Sequence, residues 1–271
     1  MSARQGGFTL IELVVGLMIS VVVVGFIATF IAVPVQSHMA QARRSDLAAS
    51  AEAVSHWMSQ DVRGTLPNSV RAQVVAGRPA VELIDVVAVT LYRDAGIEGD
   101  TLDFSAPDSQ FDILGLPAAT TTPVDVVVDN RGTPGRNAYQ LANVIAPASV
   151  NLASSTVTLT PAFRFAGPST HRRAFLVSPT IGVTRYECDL TARTLRRYDR
   201  LPITPPPMVA LPAGTPSRLI ARDVTACTFT TRAGNTDHGG LLLIRVTISR
   251  VTNGATDTVR VMKQLKVEDA A

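Results

Sequence analysis

The hydrophobic pattern begins with one long uncharged run near the start of the chain. Every position from Leu13 to Val35 is uncharged, and nearly all of these residues are apolar. At about 1.5 Å per residue, a helix of this length spans the hydrocarbon core of a bilayer, which is about 30 Å thick. No second run of this length follows in the sequence. The pattern therefore predicts a single membrane-spanning helix.

A second, amphipathic helical pattern continues beyond the uncharged run. Its apolar residues recur at spacings of three and four, which is the period of one helix face. These residues are Leu47, Ala51, Val54, Met58 and Val62. Gly64 and Pro67 end the pattern, and Pro34 is expected either to kink the helix or to be tolerated at the membrane interface. We expect one long helix, with a transmembrane half over residues 8–35 and an amphipathic half over residues 36–63.

From residue 64 onward, short runs rich in β-branched residues alternate with turn signals. The expected strands are Val70–Val75, Ala80–Tyr92, Thr101–Phe104, Val124–Val128, Thr156–Thr160, Ala174–Val177, Thr184–Leu190, Thr194–Tyr198, Arg218–Thr231, Leu241–Arg250 and Thr258–Val267. Alternation in the last two favours antiparallel pairing with one face in water. The prolines between Pro202 and Pro216 exclude a central strand there and indicate a stiff surface connection. The expected fold class is α+β, with a β-rich antiparallel head over residues 64–271 after the long N-terminal helix.

Composition and charge exclude several classes of protein and several kinds of partner. Hydrophobic residues make up 46% and charged residues 17% of the 271 positions, which excludes a disordered chain. The net charge of +3 is a small imbalance, so bulk charge gives no support for a nucleic-acid partner. The four histidines are dispersed, and no metalloprotease, hydrolase or nucleotide-binding motif occurs. We therefore expect that the protein is not an enzyme.

Glu12 is the anomaly at the start of the apolar segment. A carboxylate in a membrane helix costs about 2.5–3.5 kcal/mol at the bilayer centre and less near the interface, and it usually has a partner. No basic residue lies within one helical turn of Glu12. If the chain is cut after Gly7, the new amine of Phe8 supplies a cation that a neighbouring copy's Glu12 can pair with. Glycine suits such a cut because it lets a protease approach the extended backbone closely.

The residues of this segment are compatible with three interpretations. A plain signal anchor that holds an exported domain would leave Glu12 incidental. A cleavable secretory signal would use the A-x-A site at Ala40-Gln41-Ala42, but the apolar run exceeds the roughly 7–15 residues of a signal core. Cleavage after Gly7 would use both the Gly-Phe junction and the carboxylate.

The first residues resemble the N-terminal motif of the type IV prepilin family, which includes the pseudopilins of type II secretion. In that family a short hydrophilic leader ends in Gly and is followed by Phe, three residues, Glu and an apolar helix. Residues 1–7 match the leader peptide, Gly7 and Phe8 match the processed bond, and Glu12 matches the acidic fifth residue. One departure is Gly6, where the family often has Lys or Arg.

The resemblance implies how the chain is processed and where it resides. A prepilin peptidase and methyltransferase would cleave between Gly7 and Phe8 and methylate Phe8, and Phe8, Thr9 and Glu12 would make assembly contacts. The implied partners are other pilin or pseudopilin subunits, an inner-membrane assembly platform and the lipid bilayer. The chain would cross the inner membrane once with its head in the periplasm, and then enter a pilus or reach the cell surface.

Patches of the head resemble a narrower group, the minor prepilins of mannose-sensitive haemagglutinin (MSHA) pili, of the MshO type. These patches are Asp61–Arg63, Leu66–Arg71 and the surroundings of Cys188 and Cys227. The group implies a low-abundance subunit that starts or caps a fibre, and the large head agrees with a minor role. The alternatives are a minor pseudopilin of a type II secretion system and a membrane-anchored periplasmic binding domain.

The two cysteines of the chain, Cys188 and Cys227, each lie in a β-type run. In an exported domain we expect them to form a disulfide, with two buried free thiols as the alternative.

A cluster of acidic residues in a turn-like stretch is the one candidate metal site. Its members are Asp94, Glu98, Asp100 and Asp103. Oxygen ligands suit Ca²⁺, but the spacing fits no EF-hand loop, and a solvated turn is the simpler interpretation. No other cofactor is expected.

Overall fold

In its described residues the chain forms one long α-helix, one short 3-10 helix and fourteen β-strands. The computed structural model describes residues 9–93, 98–115, 124–141, 143–151, 153–205, 207, 209–232, 240–252 and 254–267. The helices are α1 (Leu10–Arg63) and the 3-10 helix Ala138–Gln140. The strands are β1 (Arg71–Val75), β2 (Arg78–Ile84), β3 (Val86–Tyr92), β4 (Asp108–Leu114), β5 (Val124–Val128), β6 (Ile145–Asn151), β7 (Thr156–Phe163), β8 (Arg173–Val177), β9 (Val183–Asp189), β10 (Thr194–Leu201), β11 (Ser217–Arg222), β12 (Val224–Arg232), β13 (Leu241–Thr252) and β14 (Ala255–Lys266).

The helix α1 runs without interruption through Pro34. The hydroxyl of Ser37 donates a hydrogen bond of 2.9 Å to the Pro34 carbonyl. Of the predicted apolar stripe, the side chains of Leu47, Val54, Met58 and Val62 are buried, and that of Ala51 is half-buried. The amphipathic pattern is therefore confirmed. The chain divides into two compact units, residues 1–48 and residues 49–271.

The strands of the second unit form two open sheets and a barrel. The first sheet has five strands in the order β1-β2-β9-β10-β11, and the second has three in the order β12-β13-β14. The six remaining strands close into a barrel in the order β3-β4-β7-β6-β5-β8. Every strand pair in the described residues is antiparallel. The predicted α+β class, a long helix followed by an antiparallel β-rich head, is confirmed.

Two predicted strands are each divided by an aspartate. The run Ala80–Tyr92 breaks at Asp85, where the chain leaves the five-stranded sheet and enters the barrel. The run Arg218–Thr231 breaks at Asp223, whose φ of 59° is left-handed and interrupts the extended backbone. Aspartate adopts this conformation more readily than most residues, so it serves as the corner between two sheets.

The prediction of a strand over Thr101–Phe104 is wrong, because this segment is a loop. Its alternating pattern has another cause: Leu102 is buried in the barrel core, and Phe104 packs edge-on against Tyr92 at 5.6 Å between ring centroids.

Two strands were not predicted. β4 contains two aspartates and β6 contains a proline, and both features lower the propensity for a strand.

The last turns of α1 contact both open sheets. The carboxylate of Asp61 accepts hydrogen bonds from the Tyr186 hydroxyl of β9 at 2.5 Å and from Nε of Arg197 in β10 at 2.6 Å. On the three-stranded sheet, Nζ of Lys263 donates to the Ser55 hydroxyl at 2.7 Å. Arg197 is partly buried, because Asp61 provides the charge that makes burial tolerable.

Buried charges also cross the five-stranded sheet. Glu82 of β2 is opposite Arg71 of β1 on one side and Arg185 of β9 on the other. The Nε atoms of these arginines lie 2.6 Å and 2.7 Å from the Glu82 carboxylate, and Arg185 has an exposed fraction of 0%. Opposite charges facing each other across neighbouring strands stabilise the pairing and fix its register.

The disulfide between Cys188 and Cys227 is present and joins β9 of the five-stranded sheet to β12 of the three-stranded sheet. It closes a loop with a sequence separation of 39 that includes the proline-rich connection. That connection joins β10 to β11 within one sheet, so it is not a domain boundary.

Replacing both cysteines with alanine is expected to lower the free energy of unfolding by about 4 kcal/mol, since the unfolded chain regains the entropy of an open loop of this length. The fluorescence of Trp57, the single tryptophan, reports unfolding by denaturant in detergent. A reducing agent should destabilise the wild-type chain to the same degree and leave the double variant unchanged. Equal stability of the oxidised and reduced wild-type chain would contradict a structural role for the bond.

Asp85 is a carboxyl group whose charge opposes folding. Burial raises its pKa from 3.8 to about 6, and the hydrogen bond that the Thr184 hydroxyl donates to it at 2.7 Å only partly offsets this effect. The folded state therefore binds the proton more tightly than the unfolded state does. The contribution of Asp85 to stability is fully present below its unfolded pKa and is lost as the pH rises through about 6.

We expect Asp85→Asn to raise the free energy of unfolding at pH 7.5 by about 2–3 kcal/mol, because the amide keeps an acceptor for Thr184 without the buried charge. The gain should shrink as the pH falls from 7 to 5. Glu52→Gln, which removes an exposed carboxylate from α1, is the matched control and should be neutral. A lower stability of Asp85→Asn at pH 7.5, measured by denaturant titration, would refute this account.

Candidate functional site: the N-terminal segment

Thr9 caps the start of α1 and contacts Glu12. The backbone N–H of Glu12 donates to the hydroxyl of Thr9 at 3.3 Å and to its carbonyl at 3.1 Å, and the N–H of Leu13 donates to the same carbonyl at 3.2 Å. Thr-x-x-Glu is a recognised signal of a helix N-terminus. This capping signal was visible in the sequence and was not used in predicting the role of Glu12. The carboxylate also lies in the first turn, where it interacts favourably with the helix dipole.

Beyond this cap the helix presents apolar side chains in every direction. Residues Leu10–Ile31 have a mean hydropathy of 2.8, and none of them is buried within the structure. The exposed fraction is 82% for Leu10 and 75% for Phe30. By length and composition this segment can cross a membrane. An apolar surface of this extent needs either lipid or other protein around it.

The hydroxyl groups in this segment are satisfied within the helix itself. The hydroxyl of Ser20 donates to the Gly16 carbonyl at 2.8 Å, and that of Thr29 donates to the Phe26 carbonyl at 2.9 Å. The carboxylate of Glu12 is the only charged group between Leu10 and Ile31. It is exposed, and the contacts of its residue with Thr9 in this structure are made by the backbone N–H. Glu12 is thus the one side chain in the segment whose charge calls for an external partner.

Gly7, Phe8 and the whole leader peptide, residues 1–7, lie outside the described residues. The processing site and the role of the Phe8 amine therefore stay predictions.

The acidic cluster of the head is partly described. Glu98, Asp100 and Asp103 lie in the loop between β3 and β4, and Asp94 lies outside the described residues. One carboxylate oxygen of Asp103 accepts hydrogen bonds from the hydroxyl and N–H of Ser105, which lower the pKa of Asp103. Among the residues with described positions, no group of three metal-ligating side chains is arranged to hold an ion. The calcium site stays a prediction.

The amino-acid sequence of this segment matches one family model. That model, the prokaryotic N-terminal methylation motif, covers residues 2–28. The chain carries this prepilin-type motif. Comparisons with curated proteins and with solved structures each found no match.

The motif supports a type IV pilin-like or pseudopilin precursor, and it indicates a structural subunit rather than an enzyme. It implies interaction with a prepilin peptidase and with other pilus subunits. The apolar helix and the motif together fit a membrane-anchored protein.

Proposed function

We propose that the protein is a subunit of a pilus-like fibre whose assembly depends on Glu12. A prepilin peptidase cleaves between Gly7 and Phe8, Phe8 is methylated, and the helix then leaves the lipid and packs among the helices of neighbouring subunits. The observation that carries this proposal is the lone carboxylate at the capped start of a fully exposed apolar helix, inside the matched motif.

The carboxylate acts by specifying the position of the subunit along the fibre. Cleavage leaves an amine on Phe8, and within an apolar bundle the nearest complementary charge is Glu12 of a neighbour. A buried ion pair adds little net stability, but leaving one partner unpaired costs about 3–5 kcal/mol. Axial positions of the helix that separate the amine from the carboxylate are therefore strongly disfavoured. The apolar side chains alone would allow several axial positions.

Within the fibre-forming systems we favour a minor subunit of the MSHA type that initiates or caps the pilus. The head spans most of the chain and combines a barrel with two sheets, which is bulky for a subunit repeated along a thin filament. The patches that resemble the MSHA group include Asp61, which anchors the helix, and both cysteines of the disulfide. A minor pseudopilin of type II secretion has the same N-terminal chemistry and is the alternative.

Before assembly we place the protein in the inner membrane with the head in the periplasm. The disulfide supports an oxidising compartment for the second unit. In this location the partners are the processing peptidase, the assembly platform in the membrane and the other fibre subunits, and the chain later reaches the pilus or the cell surface.

One observation favours the alternative of a membrane-anchored binding domain. A cleft of about 300 Å³ opens beside β1, with Asn68, Arg71, Tyr139 and Arg232 in its wall. The hydroxyl of Tyr139 is buried and has no hydrogen-bond partner among the described residues. A cleft of this size lies at the lower end of the volumes that hold small ligands, which are about 300–1,000 Å³. Under this alternative the helix is only an anchor, and the chain does not enter a fibre.

Glu12→Ala tests the proposal against the anchored domain. We expect membrane insertion to be unchanged or easier, because the cost of the charge is removed. Incorporation into fibres should fall at least tenfold, since an unpaired amine in the bundle costs several kcal/mol and about 1.4 kcal/mol corresponds to tenfold. The measurement is the amount of this subunit in sheared fibres relative to the amount in membranes. Glu12→Gln should be less impaired, because an amide oxygen still accepts a hydrogen bond.

Two controls separate charge from capping. Thr9→Ala removes the cap hydroxyl and keeps the carboxylate, so it should cost about 1 kcal/mol of helix stability and should reduce incorporation much less than Glu12→Ala does. Glu52→Ala removes an exposed carboxylate elsewhere on the helix and should be neutral. Incorporation of Glu12→Ala at wild-type levels would show that the carboxylate is not an assembly determinant and would favour the anchored domain.

A further inference from the structure

The outward face of the three-stranded sheet β12-β13-β14 carries cations and no carboxylate. In β13 every second residue from Leu242 to Ile248 is buried, so the residues between them face outward. The exposed cations of this outward face are Arg232, Arg245, Arg260 and Lys266. The one acidic residue of the three strands, Asp257, alternates in step with the inward Val259 and Val261.

The strand register surrounds an exposed methionine with these charges. Met262, with an exposed fraction of 68%, lies directly opposite Arg245, and Arg260 precedes it by two positions on the same face. Arg232 and Lys266 lie on either side of Leu241, which is half-buried. With strands about 4.8 Å apart and residues about 3.3 Å apart, the four cations lie within roughly 20 Å by 10 Å. None of them forms an ion pair with a carboxylate in the described part of the chain.

We propose that this outward face docks an acidic surface of a different protein, namely a neighbouring subunit of the same fibre. The identity of that neighbour as a fibre subunit rests on the proposed function, while the acidic protein partner follows from the face itself. Four cations that have no carboxylate partner among the described residues repel a basic protein and attract an acidic one, so they favour an acidic partner during the approach of the two proteins.

The composition of the face favours a protein over another polyanion. Arginine and methionine are enriched at the centres of protein interfaces, and here Met262 is exposed between Arg245 and Arg260. Single-stranded nucleic acids are usually bound by aromatic side chains that stack on the bases. The described outward positions of β12, β13 and β14 include no aromatic residue, since Phe229 alternates in step with the buried Cys227.

A second copy of this chain does not fit the face. Two copies related by a two-fold axis would place cations against cations. Three carboxylates of the loop before β4 and of β4 itself already have partners in the same chain. Asp103 and Asp108 accept hydrogen bonds from backbone N–H groups, and Asp112 pairs with Arg93. These pairings reduce the negative charge that a second copy could offer, so the proposal places the acidic groups on another protein.

A photo-crosslinking residue placed at Met262 in the full-length chain tests the face directly. We expect one adduct with an acidic protein other than this chain, identified by mass spectrometry, in the membrane fraction and in fibres. A probe at Val74, which has a similar exposed fraction of 70%, is the matched control and should give no such adduct. An adduct with a second copy, with lipid or with nucleic acid, or no adduct at all, would overturn the proposal.

Reversal of the charges on the outward face is a second test of the docking proposal. Arg245→Glu with Arg260→Glu should lower the yield of the adduct at Met262 roughly tenfold, with the disulfide and the membrane level unchanged. Reversal of two exposed arginines in the connection between β7 and β8, Arg164→Glu with Arg172→Glu, changes the net charge equally and should have little effect. Replacing acidic residues at the mapped site of the partner with arginine should restore the adduct.

Because the adduct is also read in membranes, this test remains informative if the chain never enters a fibre. Absence of the wild-type chain from fibres would refute the proposed function, whereas an unchanged adduct after charge reversal would refute the docking face.

Discussion

In the last turn of α1, the carboxylate of Asp61 accepts hydrogen bonds from Tyr186 and Arg197, which lie on the two adjacent strands β9 and β10. These strands lie inside the five-stranded sheet, so one side chain fixes the end of the helix against it. Burial opposes the charge of Arg197, but the hydrogen bond and the charge of Asp61 outweigh this effect and raise the pKa of Arg197. One turn earlier, Trp57 stacks against Arg218 of β11 at 4.5 Å. The arrangement of helix and sheet depends on this set of contacts.

The two units differ in how their apolar side chains are shielded from water. The second unit buries its own core and is closed by a disulfide between its two open sheets. The first unit includes the exposed apolar span Leu10–Ile31, in which Glu12 is the single charged residue. Such a surface is stable only in lipid or among other apolar helices. Glu12 lies at its capped start, where a partner cation would decide which neighbouring helix and which register are accepted. On the outward face of β12-β14, the cations without a described carboxylate partner would likewise select which protein binds there.

Periodicity in the sequence predicted the helix, most of the strands and the antiparallel class, because these follow from local spacing. Closure of the barrel was not predicted, since it depends on the long-range pairing of β3 with β8. The burial of Arg185 and Arg197 was not predicted, since it depends on Glu82 and Asp61, which lie far from them in the sequence. For the functional segment, the Gly-Phe junction and the isolated Glu12 were visible in sequence. The Thr9 cap was equally visible as Thr-x-x-Glu and was missed, because Glu12 was considered only as a charge that needs a partner.

The proposed assembly requires a new amine on Phe8 at the start of the apolar helix, and the mass of the mature protein shows whether that amine is formed. Intact-mass and N-terminal peptide analysis of the protein purified from membranes should show a chain that begins at Phe8 and carries one N-methyl group. A chain that still begins at Met1, or one that begins at Arg43 after cleavage at Ala40-Gln41-Ala42, would contradict the account.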